Sequence, residues 1–330
     1  MRAAVLRAHG AAPAYAEHPD PVPGDGDVLV RVTAAPVVPL DLLCASGTSY
    51  LGARQLPYVP GVQGVGEVVS GGDLAPGTRV FVATSAGMVD GDGAMAELCV
   101  VPAAGVVPLP RDRTAVDDVT LAALGLSGVA AWQALGWRAG LQAGESVVVL
   151  GAGGAVGQAA IGAARAQGAG RVVAVCRQGE SVARAAAQGP DAVVTIGPPD
   201  RTALTKALRE VLPDGADVVV DPVFGWVAEA ALDAMAPGGR LVNLGGSASD
   251  LASVSSAGVR GRGLSLLGYT NNALSADQRA EALLRVADLA AEGRVGVAHE
   301  ARRLDEVEGV WRAQQSGASG VRQVLVPGAR

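Results

Sequence analysis

Hydrophobic and polar positions change their period twice along the chain. Over the first 110 residues the apolar positions fall in short runs: "AAVLRA", "DVLVRVTAA", "GVGEVVSG", "TRVFVAT" and "AELCVVP". These valine-rich runs are bounded by Gly, Pro and Asp, which predicts β-strands. From about residue 118, "VDDVTLAALGLSGVAAWQAL" has helical spacing. Strands and helices then alternate. The strands are "SVVVLG" (146–151), "RVVAVC" (171–176), "DAVVTI" (191–196), "ADVVVD" (216–221), "GRLVNLG" (239–245) and "GLSLLGY" (263–269). Helices are expected over 155–167, 180–188, 201–212 and 226–235. Strands this continuously apolar are buried on both faces, so the pattern predicts a parallel sheet covered by helices on either side. A third zone closes the chain. Ser275 and Gln278 fit a capping box that opens a helix running to Gly293. "LDEVEGVWRAQQSG" is a further helix, and the alternation of "VRQVLVP" suits the β-rich first zone. The reading is therefore an α/β chain of two domains: 1–118 with 272–330, and an inserted doubly wound domain over 119–271.

Composition narrows the classes. Of 330 residues, 49% are hydrophobic and only 3% aromatic, so the cores must be built from Ala, Val and Leu. The net charge of -6 and the lack of any Lys/Arg cluster argue against a nucleic-acid partner. Lys206 is the only lysine, and with the Ala/Gly excess this reads as the composition of a G+C-rich bacterial genome. Cys44, Cys99 and Cys176 are odd in number and widely spaced, so neither a disulfide framework nor a Cys-rich zinc cluster is expected. With no signal-type start and no charge-free apolar run of 18 residues, the expectation is a soluble, cytoplasmic protein without a membrane partner.

"SVVVLGAGGAVGQAAIGAA" is the most informative stretch. A buried strand runs into Gly151, Gly153, Gly154 and Gly157 and then a helix. Glycines let the chain turn sharply, approach a pyrophosphate and pack the helix on the sheet. The oriented N–H groups of the helix start, at Ala155 and Val156, face the anion. This predicts a dinucleotide site. Cys176 lies 19 residues past Gly157, near the offset at which an NAD site carries an acidic residue for the ribose 2′-hydroxyl. Here a neutral Cys is followed by Arg177, whose guanidinium suits a 2′-phosphate. A charge-assisted hydrogen bond of roughly 1.5–3 kcal/mol corresponds to about 10- to 100-fold in cofactor preference, so NADPH is expected over NADH.

The whole chain resembles the medium-chain dehydrogenase/reductase superfamily, and within it the zinc-free quinone oxidoreductase branch. The segments that carry the likeness are "PVPGDGDVLVRVTAA", "LPYVPGVQGVGEVVSGG", "GAMAELCVVPAAGVVPLP", "GLSGVAAWQAL", "GESVVVLGAGGAVGQAA", "GRLVNLGG" and "SGASGVRQVLVPG", in the family's order. The resemblance implies a GroES-like β-rich domain holding both termini, a Rossmann domain with the glycine turn, a cleft between them, and a homodimer joined edge-to-edge through "GLSLLGYT". Zinc-bearing members place metal ligands at positions that correspond here to Val38, Val62 and Leu126, all aliphatic. Zinc needs N, S or O ligands, so no metal is expected.

Without a Lewis acid, conjugated acceptors are the accessible substrates. Hydride added to a quinone, enone or enal leaves an anion that a hydroxyl, an amide or a water can stabilise or protonate. The expected partner is such a small molecule. Tyr50 is the candidate acid or oxyanion donor, the other reading being a packed loop aromatic. Asp41 matches the Asp of the family's "N-P-x-D" loop, with Val38-Pro39 in place of Asn-Pro. Gln63 would bond substrate or loop backbone. Gly245 and Gly246 end a strand where this fold borders its cofactor. Asn271 would face the cleft or cap its turn. A biosynthetic tailoring reductase and a catalytically silent NADPH-binding protein stand as alternatives.

Overall fold

The structure is a computed structural model that describes residues 1–49, 52–110 and 115–328. Contacts divide the chain into two compact units, Met1–Gly125 with His299–Arg330, and Leu126–Ala298.

The first unit opens with β1 (Arg2–Val5), β2 (Ala14–Glu17) and β3 (Asp27–Pro36), followed by a short helix α1 (Pro39–Ala45). It continues through β4 (Gln63–Gly71), β5 (Arg79–Ala83), β6 (Leu98–Pro102) and β7 (Val106–Pro108). Helix α2 (Asp118–Gln133) starts in this unit and is broken at Gly125, whose φ of 29° and ψ of -129° are not helical. The unit division falls at this break. From Asp118 to Ala139 the helical segment is long and apolar enough to cross a membrane, but 67% of that window is buried inside the protein.

The second unit carries β8 (Ser146–Leu150), α3 (Ala155–Ala166), β9 (Arg171–Arg177), α4 (Glu180–Ala186), β10 (Ala192–Ile196), α5 (Arg201–Val211), β11 (Ala216–Asp221), α6 (Gly225–Asp233), β12 (Met235–Asn243), α7 (Ser256–Arg262), β13 (Ser265–Gly268) and α8 (Ala276–Ala291). The chain then returns to the first unit with β14 (His299–Arg303), α9 (Val307–Gln315) and β15 (Arg322–Val326).

In the first unit, β14-β15-β3-β4-β5-β7 form one sheet, with β6 paired to β3. The return of the C-terminus has an energetic reason: Trp311 and Leu325 are fully buried among Val5, Leu6, Val30 and Met95. Burying one such side chain contributes about 1.5–3 kcal/mol. The second sheet is parallel throughout, in the order β10-β9-β8-β11-β12-β13. The direction of winding reverses between β8 and β11. That switch point opens a crevice at the strand C-termini, where doubly wound sheets take ligands. Buried residues of β8, β9 and β11 run almost unbroken, as the apolar sequence runs require.

The division departs from the sequence expectation at both boundaries, which lie at 125/126 rather than 118/119 and at 298/299 rather than 271/272. Helix α8 buries Ala282, Leu283, Val286, Ala287 and Leu289. Val286 packs where Gly128 has no side chain, its Cγ1 2.7 Å from the position a Cβ would take. Gln133 also donates to the Gln278 carbonyl at 3.1 Å. These contacts tie α8 to the parallel-sheet unit. Its start is the expected capping box, with Ser275 Oγ accepting from the Gln278 amide at 3.1 Å and Gln278 Oε1 accepting from the Ser275 amide at 3.0 Å.

Candidate functional site

The glycine turn joins β8 to α3, and each glycine there has its own steric reason. Gly151 takes a φ of 61°, and a Cβ on it would sit 2.7 Å from Val223 Cγ2. A Cβ on Gly153 would sit 2.7 Å from Ser181 Cβ, and one on Gly157 would sit 2.4 Å from the Gly151 carbonyl oxygen. The Gly154 amide closes the turn by donating to Gly151 O at 2.9 Å, and the Ala152 amide ties it to Val175 O on β9 at 3.0 Å. Gly154 is also the N-cap of α3, and no side chain caps that helix. Its first-turn amides, at Ala155, Val156 and Gly157, are thus left for an outside acceptor. The helix dipole there favours an anion.

Sequence reasoning missed three groups here: two that bond the glycine turn and one that holds the neighbouring turn after β11. Buried Gln158 donates to Gly153 O at 3.0 Å and accepts from the Ala298 amide at 2.8 Å. Arg184, on α4, donates to the same Gly153 carbonyl at 3.1 Å and to Ser181 Oγ at 3.2 Å. Asp221, fully buried at the end of β11, accepts from the Val223 amide at 2.9 Å, the Phe224 amide at 2.7 Å and Asn243 Nδ2 at 3.1 Å. Burial pushes the Asp221 carboxyl up from its ordinary range, and these donors oppose the shift. Phe224 takes a φ of 59°, a conformation rare for a bulky side chain and a mark of strain beside the crevice. A left-handed aromatic residue has no sequence signature. Arg184 does have one: it stands one helical turn into the element that follows Arg177.

Around the expected 2′-phosphate position the two neighbours separate. Cys176 is 2% exposed and pairs with Thr195 inside the sheet, so its side chain is packed within the protein. Burial pushes its thiol up, against the opposing charge of Arg184. Arg177, at the strand end, is exposed. Among the described residues, Arg184 bonds the turn directly and Arg177 ends the strand beside β8. The carboxylate beside them, Glu180, is 86% exposed and paired with Arg184.

At the end of β12, Asn243 Nδ2 donates to Gly245 O at 2.9 Å, and the Gly246 backbone lies against Ser249, whose carbonyl oxygen would meet a Cβ at 2.7 Å. Both glycines thus sit in a packed turn at the strand C-terminus. Asn271 is engaged at both ends of its amide, Nδ2 donating to Leu126 O at 3.1 Å and Oδ1 accepting from the Tyr269 hydroxyl at 2.7 Å. It braces the turn after β13 and does not present a free amide to a cofactor.

In the first unit, two candidates face inward. Asp41 is 2% exposed and bonded to backbone amides, which removes it from direct chemistry. Burial pushes its carboxyl up to about 6, against the lowering effect of those amides and of Arg322. Gln63 is 1% exposed and donates to Ala122 O at 3.4 Å. The missing Cβ of Gly125 makes room for it, since that atom would lie 2.4 Å from Gln63 Oε1. Tyr50 lies outside the described residues.

The side chains at the positions matched to zinc ligands carry no metal donor. Val38 and Val62 are buried and aliphatic. Among the described residues, His18 is bonded to Asp92 at 2.8 Å and His299 to Thr120 at 3.3 Å, and no three His, Cys, Asp or Glu gather as a metal site. A surface cavity of about 710 Å³ lined by Arg201, Arg209 and Arg262 is separate from the glycine turn. Those arginines are bonded to Asp233, Glu229 and nearby carbonyls.

Comparison with known proteins agrees with this geometry. Residues 24–111 match the alcohol dehydrogenase GroES-like domain, and residues 155–288 match the family described as zinc-binding dehydrogenase. Prostaglandin reductase-3 of Bos taurus is 33% identical over 227 residues, 69% of this chain and 57% of that protein. Quinone oxidoreductase of Homo sapiens is 36% identical over 143 residues, 42% of this chain and 41% of that protein. The chain thus spans less than two thirds of the length of these curated relatives. Among solved structures, the quinone oxidoreductase of Thermus thermophilus, also described in complex with NADPH, is 27% identical at a TM-score of 0.78, covering 99% of this chain and 100% of that one. With both domain families matched in order, the parallel sheet wound about its glycine turn and these relatives alongside, the chain belongs to the medium-chain dehydrogenase/reductase superfamily, in its quinone oxidoreductase-like branch.

Proposed function

We propose that this chain is an NADPH-dependent reductase of quinones or α,β-unsaturated carbonyl compounds that works without zinc. The observation that carries the reading is the glycine turn: an uncapped helix start behind it and two arginines, Arg177 and Arg184, beside it. The amides of Ala155, Val156 and Gly157 would hold the pyrophosphate, and Arg177 the 2′-phosphate. The NADPH complex of the Thermus relative supports the same choice of cofactor. When bound, NADPH supplies a hydride to the conjugated acceptor, leaving an enolate or hydroquinone anion that takes up a proton. The chain orients the cofactor through Gly153, which Gln158 and Arg184 fix from two sides. Val38 and Val62 offer no lone pair to a metal, so the acceptor's own conjugation must delocalise the developing charge.

One observation favours a second reading. Asp41, Gln63 and Asn271 are all engaged by the chain itself, which leaves Tyr50 or water as proton donor, or no chemistry at all in a silent NADPH-binding protein. Following NADPH absorbance against quinones, enals and enoyl thioesters separates these. Oxidation with a quinone or enal is expected; a preference for enoyl thioesters points to a tailoring reductase. Tight NADPH binding with no oxidation in any mixture refutes the reductase reading. A homodimer joined along β13 is part of the proposal: that strand is the sheet edge and exposes Leu266, with Trp137 also exposed and in edge contact with Tyr269.

A further inference from the structure

Asp41 is a buried charge that the proposed chemistry leaves unused. Its carboxylate accepts three backbone N–H groups, one from the N-cap of its own helix and two from the turn before β4. Val38 N reaches Oδ2 at 2.9 Å, while Gly61 N at 3.2 Å and Val62 N at 2.9 Å reach Oδ1. Arg322, on β15, is itself 8% exposed and donates to the Val37 carbonyl at 2.9 Å, and its charge favours the ionised Asp41. One carboxylate and one guanidinium therefore join the start of α1, the turn before β4 and the last strand. The turn is gripped from its other side as well, Thr84 Oγ1 donating to Gly61 O at 2.8 Å.

Buried charges are a poor means of stabilisation. Well-packed apolar groups often hold a fold as firmly, because desolvation cancels much of the attraction. What the carboxylate adds is direction. Hydrogen bonds fix two backbone segments to within a few tenths of an ångström, which apolar contact between Val side chains does not. The residues fixed are Val38 and Val62, and the second of these leads directly into buried Gln63.

We propose that Asp41, backed by Arg322, is a positioning residue that sets the spacing of the Val37–Val38 and Gly61–Val62 segments for binding of the acceptor. That these segments serve the acceptor rests on the proposed reductase function; that Asp41 spaces them does not.

The test uses the full-length protein with NADPH and compares the wild type with Asp41→Asn. Amide hydrogen exchange is followed over residues 37–41 and 59–64, and turnover is followed with 1,4-naphthoquinone. In Asp41→Asn, exchange at Gly61 and Val62 rises at least tenfold while the glycine turn at 151–157 is unchanged. The kcat/KM for naphthoquinone falls at least tenfold, mainly through KM, with the Kd for NADPH within twofold of wild type. Val30→Ala, a fully buried neighbour in the same core, is the control for simple destabilisation. Unchanged exchange overturns the proposal. So does faster exchange with unchanged kcat/KM, or an equal KM rise in Val30→Ala. Should Asp41→Asn not fold, Arg322→Lys keeps the charge but loses the guanidinium fork and is expected to move the same readouts in the same direction. A wild type that binds NADPH yet reduces nothing refutes the reductase function, and the exchange comparison then decides the role of Asp41 by itself.

Discussion

Alanine at Gly157 is the sharpest probe of the cofactor site. Its Cβ would lie 2.4 Å from Gly151 O and 2.6 Å from Ala152 Cα, where ordinary contact begins at 3.4 Å. Both obstacles are backbone, so neither can swing aside. The first turn of α3 must lift by about 1 Å, an overpacking that costs about 1–3 kcal/mol. Replacing a helical glycine returns up to about 1 kcal/mol of helix propensity. The net loss of stability is then about 0–3 kcal/mol. Binding suffers more. A 1 Å lift takes first-turn amides out of hydrogen-bond range of a pyrophosphate, and each charge-assisted bond lost is worth roughly 1.5–3 kcal/mol. The Kd for NADPH, read by fluorescence titration, should rise about 10- to 100-fold. A Kd within twofold of wild type in a folded Gly157→Ala protein refutes the assignment of the α3 start as the pyrophosphate site.

The remaining predictions separate cofactor preference, local packing and titration. Arg177→Ala should raise KM for NADPH about tenfold, the low end of the charge-assisted range because the side chain is exposed, and leave NADH almost untouched. Arg184→Ala removes a donor to Gly153 O and should weaken NADPH and NADH alike; an effect on NADPH alone would make it a phosphate ligand. Gly309→Ala should stabilise the protein by about 0.5–1 kcal/mol in urea unfolding, since Gly309 lies within α9 with nothing in the way of a Cβ; a loss of stability contradicts this. Asp41 gives a pH signature. Its carboxyl is raised from 3.8 to about 6, so its stabilising contribution is full below 3.8 and is lost as pH rises through 6. Relative to Asp41→Asn, the wild type should lose up to about 3 kcal/mol between pH 4 and pH 7. A difference in urea midpoint that stays constant across this range rules out the raised value.

Much of the parallel-sheet unit was legible because its signals are local. "SVVVLGAGGAVG" contains both the strand and the glycine turn that follows it, and the Ser275–Gln278 cap needs only four residues to declare itself. Readings failed where a partner came from far along the chain. Asp41 looked available for chemistry because two of the amides it holds, those of Gly61 and Val62, lie some twenty residues away. Cys176 looked like a ligand contact because strands buried on both faces have no alternation to show which residue leaves the sheet. Helix α8 belongs to the parallel-sheet unit although the sequence groups it with the other, because its amphipathic face says that it is covered, not by what, and the answer lies in Gly128.

By itself, then, the sequence determined the two-domain α/β class, the order of its strands and helices, the dinucleotide turn and the aliphatic residues at the metal positions. These follow from covalent neighbours: periodicity, caps, and residue types that either carry a lone pair or do not. Only the tertiary structure decided that β8 and β11 flank the switch point, that Arg184 and Gln158 clamp Gly153, and that Asp41, Gln63 and Asn271 are hydrogen-bonded within the chain. A side chain's role depends on whether its polar atoms find partners. Those partners are brought within 3 Å or so by folding, from positions whose separation along the chain carries no trace of the contact.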